Sequence, residues 1–380
     1  MRICHVITKP ELGGAQLTTL NLISNLPKDK YRISMITSSR GILKPDFKSI
    51  KGAAVHFCPS LTRQINPFAD ILALIHIYLI YRSYNNDIVH THSSKAGIIG
   101  RWAAKLAGVP VVIHTVHGWS FNDYQGRIRK RFFIFLERIT ARFTTRIICV
   151  SNKDIETGLC HKIAPREKFV LIKYGIPLGE FRDRKADRKD KRREIGINNE
   201  DPVVGMISCL KPQKSPEDYV KAAIEIYKGF PSVNFLLVGD GVLKKRCQKI
   251  LKGSPLDGRF IFSGWRRDIP EILDILDIAV LTSKWEGMPI AIIEALSKGK
   301  PAVITDAGGA RELVKDGISG YVTRPGAYRD IAVKVMGILR DKARMDSMGR
   351  EAGLSVDESF DIKTMARDTD ILYQNCKESA

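Results

Sequence analysis

With 380 residues the chain is long enough to bury more than one core, and a content of 44% hydrophobic and 27% charged residues without low-complexity tracts is that of an α/β protein. Its seven cysteines are odd in number, scattered and never arranged as C-x-x-C, which argues against a disulfide framework or a zinc ribbon and for reduced thiols in the cytoplasm. The formal charge of +20 is uneven: residues 1–180 hold 26 Lys and Arg against 11 Asp and Glu, which suits that half to a polyanion such as an anionic membrane, a lipid phosphate or nucleic acid.

Met1 to Ile7 reads as a buried strand, with no cleavable signal peptide visible. Further strands are expected near Arg32–Thr37 and Val55–Cys58. Ile71 to Tyr81 is the longest apolar stretch; interrupted by His76 and too short to span a bilayer, it is expected as a core helix. Strands follow near Ile88–His90 and Val111–His114. From Gly126 to Arg146 a helix would carry Ile128, Phe132, Phe135, Ile139 and Phe143 on one stripe, with Arg127, Arg131, Arg138, Arg142 and Arg146 on another. The apolar stripe is expected to pack on the sheet, leaving the arginines outward to attract anionic lipid without insertion. Strands near Arg146–Val150 and Phe169–Ile172 complete the first half.

The charged run Arg182 to Arg193 reads as a solvated linker entering a short helix, with Gly196 as its C-cap. The strand pattern restarts at Val203–Ile207 and continues at Phe235–Val238, Arg259–Phe262, Ile278–Leu281, Ala302–Thr305 and Gly320–Val322. The tail after Val356 reads as helical. Alternating strands and helices in two runs predict an α/β chain of two doubly wound, Rossmann-like domains. The expected division is 1–180, a linker 181–199, 200–355, and a tail 356–380 crossing back to the first domain. Ligands of such sheets bind beyond the strand C-termini, so two domains facing each other would enclose a cleft lined by the loops there.

The strongest motif follows the strand Ile278–Leu281: Ser283-Lys284-Trp285-Glu286-Gly287-Met288-Pro289-Ile290-Ala291-Ile292-Ile293-Glu294. Pro289 suits a first helical turn, placing Glu286 in the loop and Glu294 on the helix. Eight residues at the helical rise separate the two by about 12 Å. Paired glycosidase carboxylates stand about 5–9.5 Å apart, so these two are poorly placed to work on one bond. They suit the two ends of a sugar–diphosphate–ribose instead, since a carboxylate accepts from both hydroxyls of a diol and N–H groups at a helix start face a diphosphate.

This Glu-x7-Glu element resembles the hallmark of the retaining glycosyltransferases of family 4. The resemblance extends over essentially the whole chain. It includes Gly13-Gly14-Ala15-Gln16, His90-Thr91-His92-Ser93-Ser94-Lys95-Ala96-Gly97, His117-Gly118-Trp119-Ser120-Phe121 and Val150-Ser151. It continues through Tyr174-Gly175-Ile176-Pro177, Lys211-Pro212-Gln213-Lys214, Val238-Gly239-Asp240-Gly241 and Asp306-Ala307-Gly308-Gly309. The family implies a GT-B fold, with an acceptor-side first domain and a nucleotide-sugar-binding second domain. It implies that Glu294 binds the ribose diol and Glu286 the donor-sugar hydroxyls, with Gly287, Met288 and Pro289 between them on the donor. Lys214 would pair with the diphosphate as leaving-group charge develops, Gly13 and Gly14 would let backbone N–H groups approach it, and His117 would hydrogen-bond the sugar. His90 and His92 are read as structural.

One position departs from the family: where an arginine usually precedes the lysine by five residues, this chain has Cys209. If the strand end stays extended, Lys211 shares the face of Cys209 and replaces the missing cation. The sole Asp-x-Asp, Asp368-Thr369-Asp370, lies in the tail helix, where residues two apart do not face each other, so no metal is expected.

The resemblance implies metal-independent, retaining transfer of a hexose or N-acetylhexosamine from a nucleotide diphosphate sugar, with UDP-sugars favoured as co-substrate and no cofactor. The acceptor expected is a lipid-linked glycan for a cell-surface polymer, met by a cytoplasmic protein held peripherally at the inner face of an anionic membrane. The alternative is a nucleotide-sugar epimerase on a similar two-domain fold. A nucleic-acid partner is not expected, because the basic residues are not interleaved with stacking aromatics.

Overall fold

The computed structural model describes residues 1–197, 200–256 and 258–379. The chain divides into two compact units: residues 1–175 with 362–380, and Ile176–Asp361.

The first unit is built on seven parallel strands: β1 (Arg2–Val6), β2 (Arg32–Thr37), β3 (Ala53–Phe57), β4 (Ile88–His92), β5 (Val111–Val116), β6 (Arg146–Cys149) and β7 (Phe169–Leu171). Their spatial order is β3-β2-β1-β4-β5-β6-β7. Strands covered on both faces have little use for polar alternation, and β5 is buried at every residue. The second unit repeats the plan with β8 (Val203–Ile207), β9 (Asn234–Val238), β10 (Phe260–Gly264), β11 (Ile278–Leu281), β12 (Ala302–Thr305) and β13 (Gly320–Thr323), ordered β10-β9-β8-β11-β12-β13. Counted within its own unit, each sheet runs 3-2-1-4-5-6, with a seventh strand added at the end of the first. Winding therefore reverses between β1 and β4 in the first unit, and between β8 and β11 in the second. Loops leaving those strands border a crevice where a ligand can enter.

All thirteen expected strands form, most with ends shifted by one or two residues. The helices differ more from expectation. Residues 182–193 are largely exposed and enter the short helix Arg188–Ile195 as expected, but they follow a further helix, Leu178–Asp183, and belong to the second unit instead of linking two domains. Arg188 donates to Asp277 at 2.8 Å, Lys191 reaches Asp268 at 2.9 Å, and Arg192 and Ile197 are buried. Part of the charge run is thus tied to the body of the unit, and the rest stays in water. Gly196 does cap the second helix, in the left-handed region at φ 90°. The helix Ile362–Glu378 belongs to the first unit, where Met365, Leu372, Tyr373 and Cys376 enter the same core as Ile3, Leu22 and Met35.

Two helices depart from expectation in the apolar faces they leave exposed. Pro67–Tyr84 buries Ala73, Ile77, Ile80 and Tyr81 but leaves a second apolar face exposed. The helix expected from Gly126 to Arg146 spans only Arg127–Ala141, and its stripe of Ile128, Phe132 and Phe135 is exposed. Its anchor is partly apolar, Phe133, Ile134 and Ala141 packing with Val116, Ile147 and Phe169, and partly polar. Glu137 and Thr140 are buried, and Glu137 meets the buried Arg101 at 2.7 Å.

Candidate active site

In the second unit the site begins at the ends of β8 and β11. Beyond β8, Ser208 and Leu210 donate to Val238 and Asp240, prolonging the extended path beside β9. It ends there: the N–H of Lys211 returns to Cys209 O at 2.9 Å, closing a three-residue turn. Strand alternation therefore does not carry from Cys209 to Lys211, and the shared face expected of them has no basis in the backbone. The loop then brings Lys214 beside the loop after β11.

There Lys214 Nζ donates to Glu286 Oε1 at 2.5 Å, and the Ser283 hydroxyl donates to the same oxygen at 2.5 Å. Both side chains of the ion pair are largely buried, 18% exposed for Lys214 and 6% for Glu286. The two loops are sewn together. Lys284 N–H donates to Gln213 O and Gln213 Nε2 to Trp285 O, each at 2.8 Å, while the Thr282 hydroxyl reaches the carbonyls of Lys214 and Ser215 at 2.9 Å. Thr305, at the end of β12, holds Ser283 O at 2.5 Å. From the next loop Gly308 lies against the backbone of Glu286. At φ +59° and with Glu286 O only 2.1 Å from where a Cβ would stand, this position admits no other side chain without displacement.

Gly287, Met288 and Pro289 are buried, and Pro289 is the N-cap of the helix Ile290–Ser297 rather than its first residue. Helix therefore covers only the last five residues of the stretch ending at Glu294, and the separation of the two glutamates is not eight helical rises. The first N–H groups of any helix lack intrahelical partners, so this one starts with donors directed out of the sheet's end. Glu294 is half-buried, and among the described residues its carboxyl has no hydrogen-bond or ionic partner. Burial pushes its pKa up to about 7.

In the first unit, Gly13 caps the helix Gly14–Asn25 just after β1, and both glycines are at least partly exposed. Across the reversal point, Thr8 and Ser93 hydroxyls join the loops after β1 and β4 at 2.7 Å. His117 follows β5, and both its ring nitrogens are taken: Nδ1 lies 2.5 Å from Tyr174 OH and Nε2 3.1 Å from His92 Nδ1. His92 Nε2 continues to His5 Nδ1 at 3.1 Å. Burial lowers the pKa of His5, His92 and His117, to about 3 for His5 and His117, so the three rings are neutral and each carries one proton to pass along the line. A sugar hydroxyl reaching His117 has to share or displace Tyr174 or His92. Separately, His90 bonds Tyr373 OH at 2.5 Å and Thr115 at 2.7 Å inside the core.

The tail Asp-x-Asp is engaged elsewhere: Asp370 accepts from Lys30 at 3.1 Å and from the Tyr31 hydroxyl, and Thr369 is buried. Among the described residues, one group has side chains close enough to share an ion, His5, His90 and His92. Sequence reasoning assigned no role to Ser283, Gly308 or Tyr174, although all three stand inside the quoted motifs, and His5 carried no signal at all.

Models of the families described as Glycosyltransferase Family 4 and Glycosyl transferases group 1 match residues 12–180 and 187–354. An Escherichia coli UDP-Gal:alpha-D-GlcNAc-diphosphoundecaprenol alpha-1,3-galactosyltransferase is 37% identical over 327 residues, 85% of this chain and 84% of that one. The chain belongs to the family 4 glycosyltransferases. This transferase is also 25% identical, over 78% of its length and 80% of the relative, to a Campylobacter jejuni N,N'-diacetylbacillosaminyl-diphospho-undecaprenol alpha-1,3-N-acetylgalactosaminyltransferase. Its fold matches the crystal structure of Anabaena HepE with UDP-glucose at a TM-score of 0.85 and 23% identity, covering 99% and 100% of the two chains. Sucrose-phosphate synthase from Thermosynechococcus elongatus gives 0.87 at 18% identity over the full length of both. The transferase thus has two Rossmann-like domains of the GT-B type, and these matches set the epimerase alternative aside.

Proposed function

We propose that this transferase moves a hexose or N-acetylhexosamine from a UDP-sugar to a lipid-linked glycan, with retention at the anomeric carbon and without a metal ion. The observation that carries the donor reading is the cluster of Lys214, Glu286 and Ser283 at the β8/β11 reversal point, followed at once by the helix bearing the carboxyl of Glu294, unpaired among the described residues. Glu294 suits the ribose diol, which would supply the donors its carboxyl lacks. Glu286 takes the sugar hydroxyls, and Gly287 to Pro289 lead the backbone past the diphosphate to the helix start. Lys214 relaxes its hold on Glu286 to meet the leaving phosphate as the C1–oxygen bond breaks. The acceptor hydroxyl then adds to C1 on the face the phosphate leaves, and its proton passes to that phosphate. In the first unit, Gly13 and Gly14 serve the diphosphate and His117, positioned by Tyr174 and His92, serves the sugar. Lys211 is the nearest cation in sequence to the arginine missing at Cys209.

The acceptor reading rests on the two relatives named for diphosphoundecaprenol-linked substrates and on the positive first half of the chain. It places the protein at the inner face of the cell membrane. The test incubates the protein with UDP-galactose, UDP-glucose or UDP-N-acetylglucosamine and a synthetic polyprenyl-diphosphate GlcNAc, following UDP release and product mass with and without EDTA. Acceptor-dependent UDP release that survives EDTA is expected with one of these donors. Lys214→Ala should lower turnover by about 100-fold, the scale of one transition-state charge contact, and change UDP affinity much less. Turnover that vanishes in EDTA and returns with manganese rejects the metal-free reading, and wild-type kinetics from Lys214→Ala reject the site.

A further inference from the structure

In the first unit the large apolar side chains left in water gather on two helices. On Pro67–Tyr84, Phe68, Ile71, Leu72, Ile75 and Leu79 are exposed, Phe68 by 84%. Steps of three and four residues put these five on one stripe running about three turns. The helix has two charged residues, Asp70, paired with Lys95, and Arg82 in its last turn. It is apolar on its packed face and apolar on its open face, a pattern that belongs to a helix surrounded by hydrocarbon on both sides. On Arg127–Ala141, Ile128 is 87% exposed and Phe132 and Phe135 follow it at helical spacing, with Arg127, Arg129, Arg131 and Arg138 exposed beside them.

The two helices are not remote. Both pack on the helix Ser94–Ala107 between them. As crossovers from β3 to β4 and from β5 to β6, both also enter from the C-terminal edge of the sheet, the edge that carries Gly13, Ser93 and His117. An apolar surface of this extent, rimmed by cations, marks an interaction site. No described helix is long and apolar enough to cross a membrane, so the fitting mode is one in which the helices lie in the interface.

We infer that the first unit docks on an anionic bilayer by burying the Phe68–Leu79 and Ile128–Phe135 stripes below the headgroups, while the flanking arginines meet lipid phosphates. This deepens the membrane reading of the proposed function, on which it rests, and replaces attraction by charge alone with insertion. Charge-only binding falls off within a Debye length and is undone by salt, whereas buried apolar side chains hold when salt rises.

The test sediments the full chain with vesicles of phosphatidylcholine, with and without phosphatidylglycerol, from about 0.1 to 1 M NaCl. Binding to the phosphatidylglycerol vesicles is expected to persist at the highest salt. Ile71→Gln, Leu72→Gln and Ile75→Gln together should weaken binding at least tenfold at every salt, about what removing even one buried apolar side chain achieves. Arg127→Gln with Arg131→Gln should weaken it chiefly at low salt. All five positions are exposed, and UDP affinity measured by calorimetry on the same preparations reports the donor site independently. Complete release of the wild type at high salt, or undiminished binding by the apolar triple variant, overturns insertion. So does sedimentation velocity showing a dimer that the triple variant abolishes while vesicles go unbound. Loss of UDP binding in the wild type would instead overturn the donor reading and leave the vesicle result standing.

Discussion

Glu294 stands on the helix Ile290–Ser297 with its carboxyl half-buried, unpartnered among the described residues and pushed up to about 7. It therefore holds its proton in the folded protein at pH values where the unfolded chain has released it. Its favourable contribution to stability is present in full below the ordinary glutamate value of 4.5 and is lost as pH rises through about 7. Binding runs the other way. Two hydroxyls donating to one carboxyl favour the ionised form, so UDP should bind more tightly as pH rises, by roughly tenfold between about pH 5.5 and 7.5. Glu294→Gln should bind UDP weakly and with little pH dependence over that range. Calorimetry at several pH values checks both, and an equally steep profile in Glu294→Gln would assign the titration to another group. The types and order of Glu286, Glu294 and Lys214 were legible in the sequence, because each sits in a short local motif. The Lys214–Glu286–Ser283 cluster was not, because it is made where β8 and β11 become neighbours, 72 residues apart for the ion pair. The turn at Lys211 escaped notice for a different reason: nothing in Cys209-Leu210-Lys211 marks where an extended segment stops.

At the scale of elements the strands were the legible part, since runs of β-branched residues buried on both faces have few alternative readings. Helix faces were not, because periodicity identifies a stripe without saying what lies opposite it. The helix Arg127–Ala141 shows the consequence. The stripe of Ile128, Phe132 and Phe135 faces outward, and the opposite side is held by Phe133, Ile134 and Ala141 and by Glu137, which accepts from Arg101 at 2.7 Å and from Ser120 at 3.2 Å. Arg101, fully buried on the helix Ser94–Ala107, also donates to Gly97 O at 2.8 Å and Thr144 at 3.3 Å. Glu137→Ala leaves that guanidinium buried without its counter-charge, at an expected cost of about 3–5 kcal/mol. Replacing both partners, Arg101→Met with Glu137→Leu, should recover most of the loss, because a filled apolar site has no charge left to desolvate. Urea unfolding of the two variants distinguishes this from a solvated pair, for which both would stay near wild type.

The whole molecule is two units of one winding, and the first is discontinuous in sequence: the chain leaves it at Gly175 and returns at Ile362. The returning helix Ile362–Glu378 completes a core instead of decorating a surface. Tyr373 is fully buried, its ring meets His90 edge-on with centroids 5.7 Å apart, and its hydroxyl lies 2.5 Å from His90 Nδ1. Burial drives the His90 pKa well down and the Tyr373 pKa well up, so both are neutral and their bond joins two uncharged groups. Removing the hydroxyl leaves one ring nitrogen of the buried His90 without its partner. Tyr373→Phe should therefore lower the stability of the first unit by about 1–3 kcal/mol, the range for leaving one buried polar atom unmet. Ending the chain at Asp361 removes Met365, Leu372, Tyr373 and Cys376 from that core together and should unfold the first unit at physiological temperature. The second unit lies wholly within Ile176–Asp361 and loses none of its own residues. Hydrogen exchange separates the units. The truncated chain should lose protection across β1, β4 and β5 while β8 and β11 keep theirs, and uniform loss through both sheets would mean that the two units fold as one.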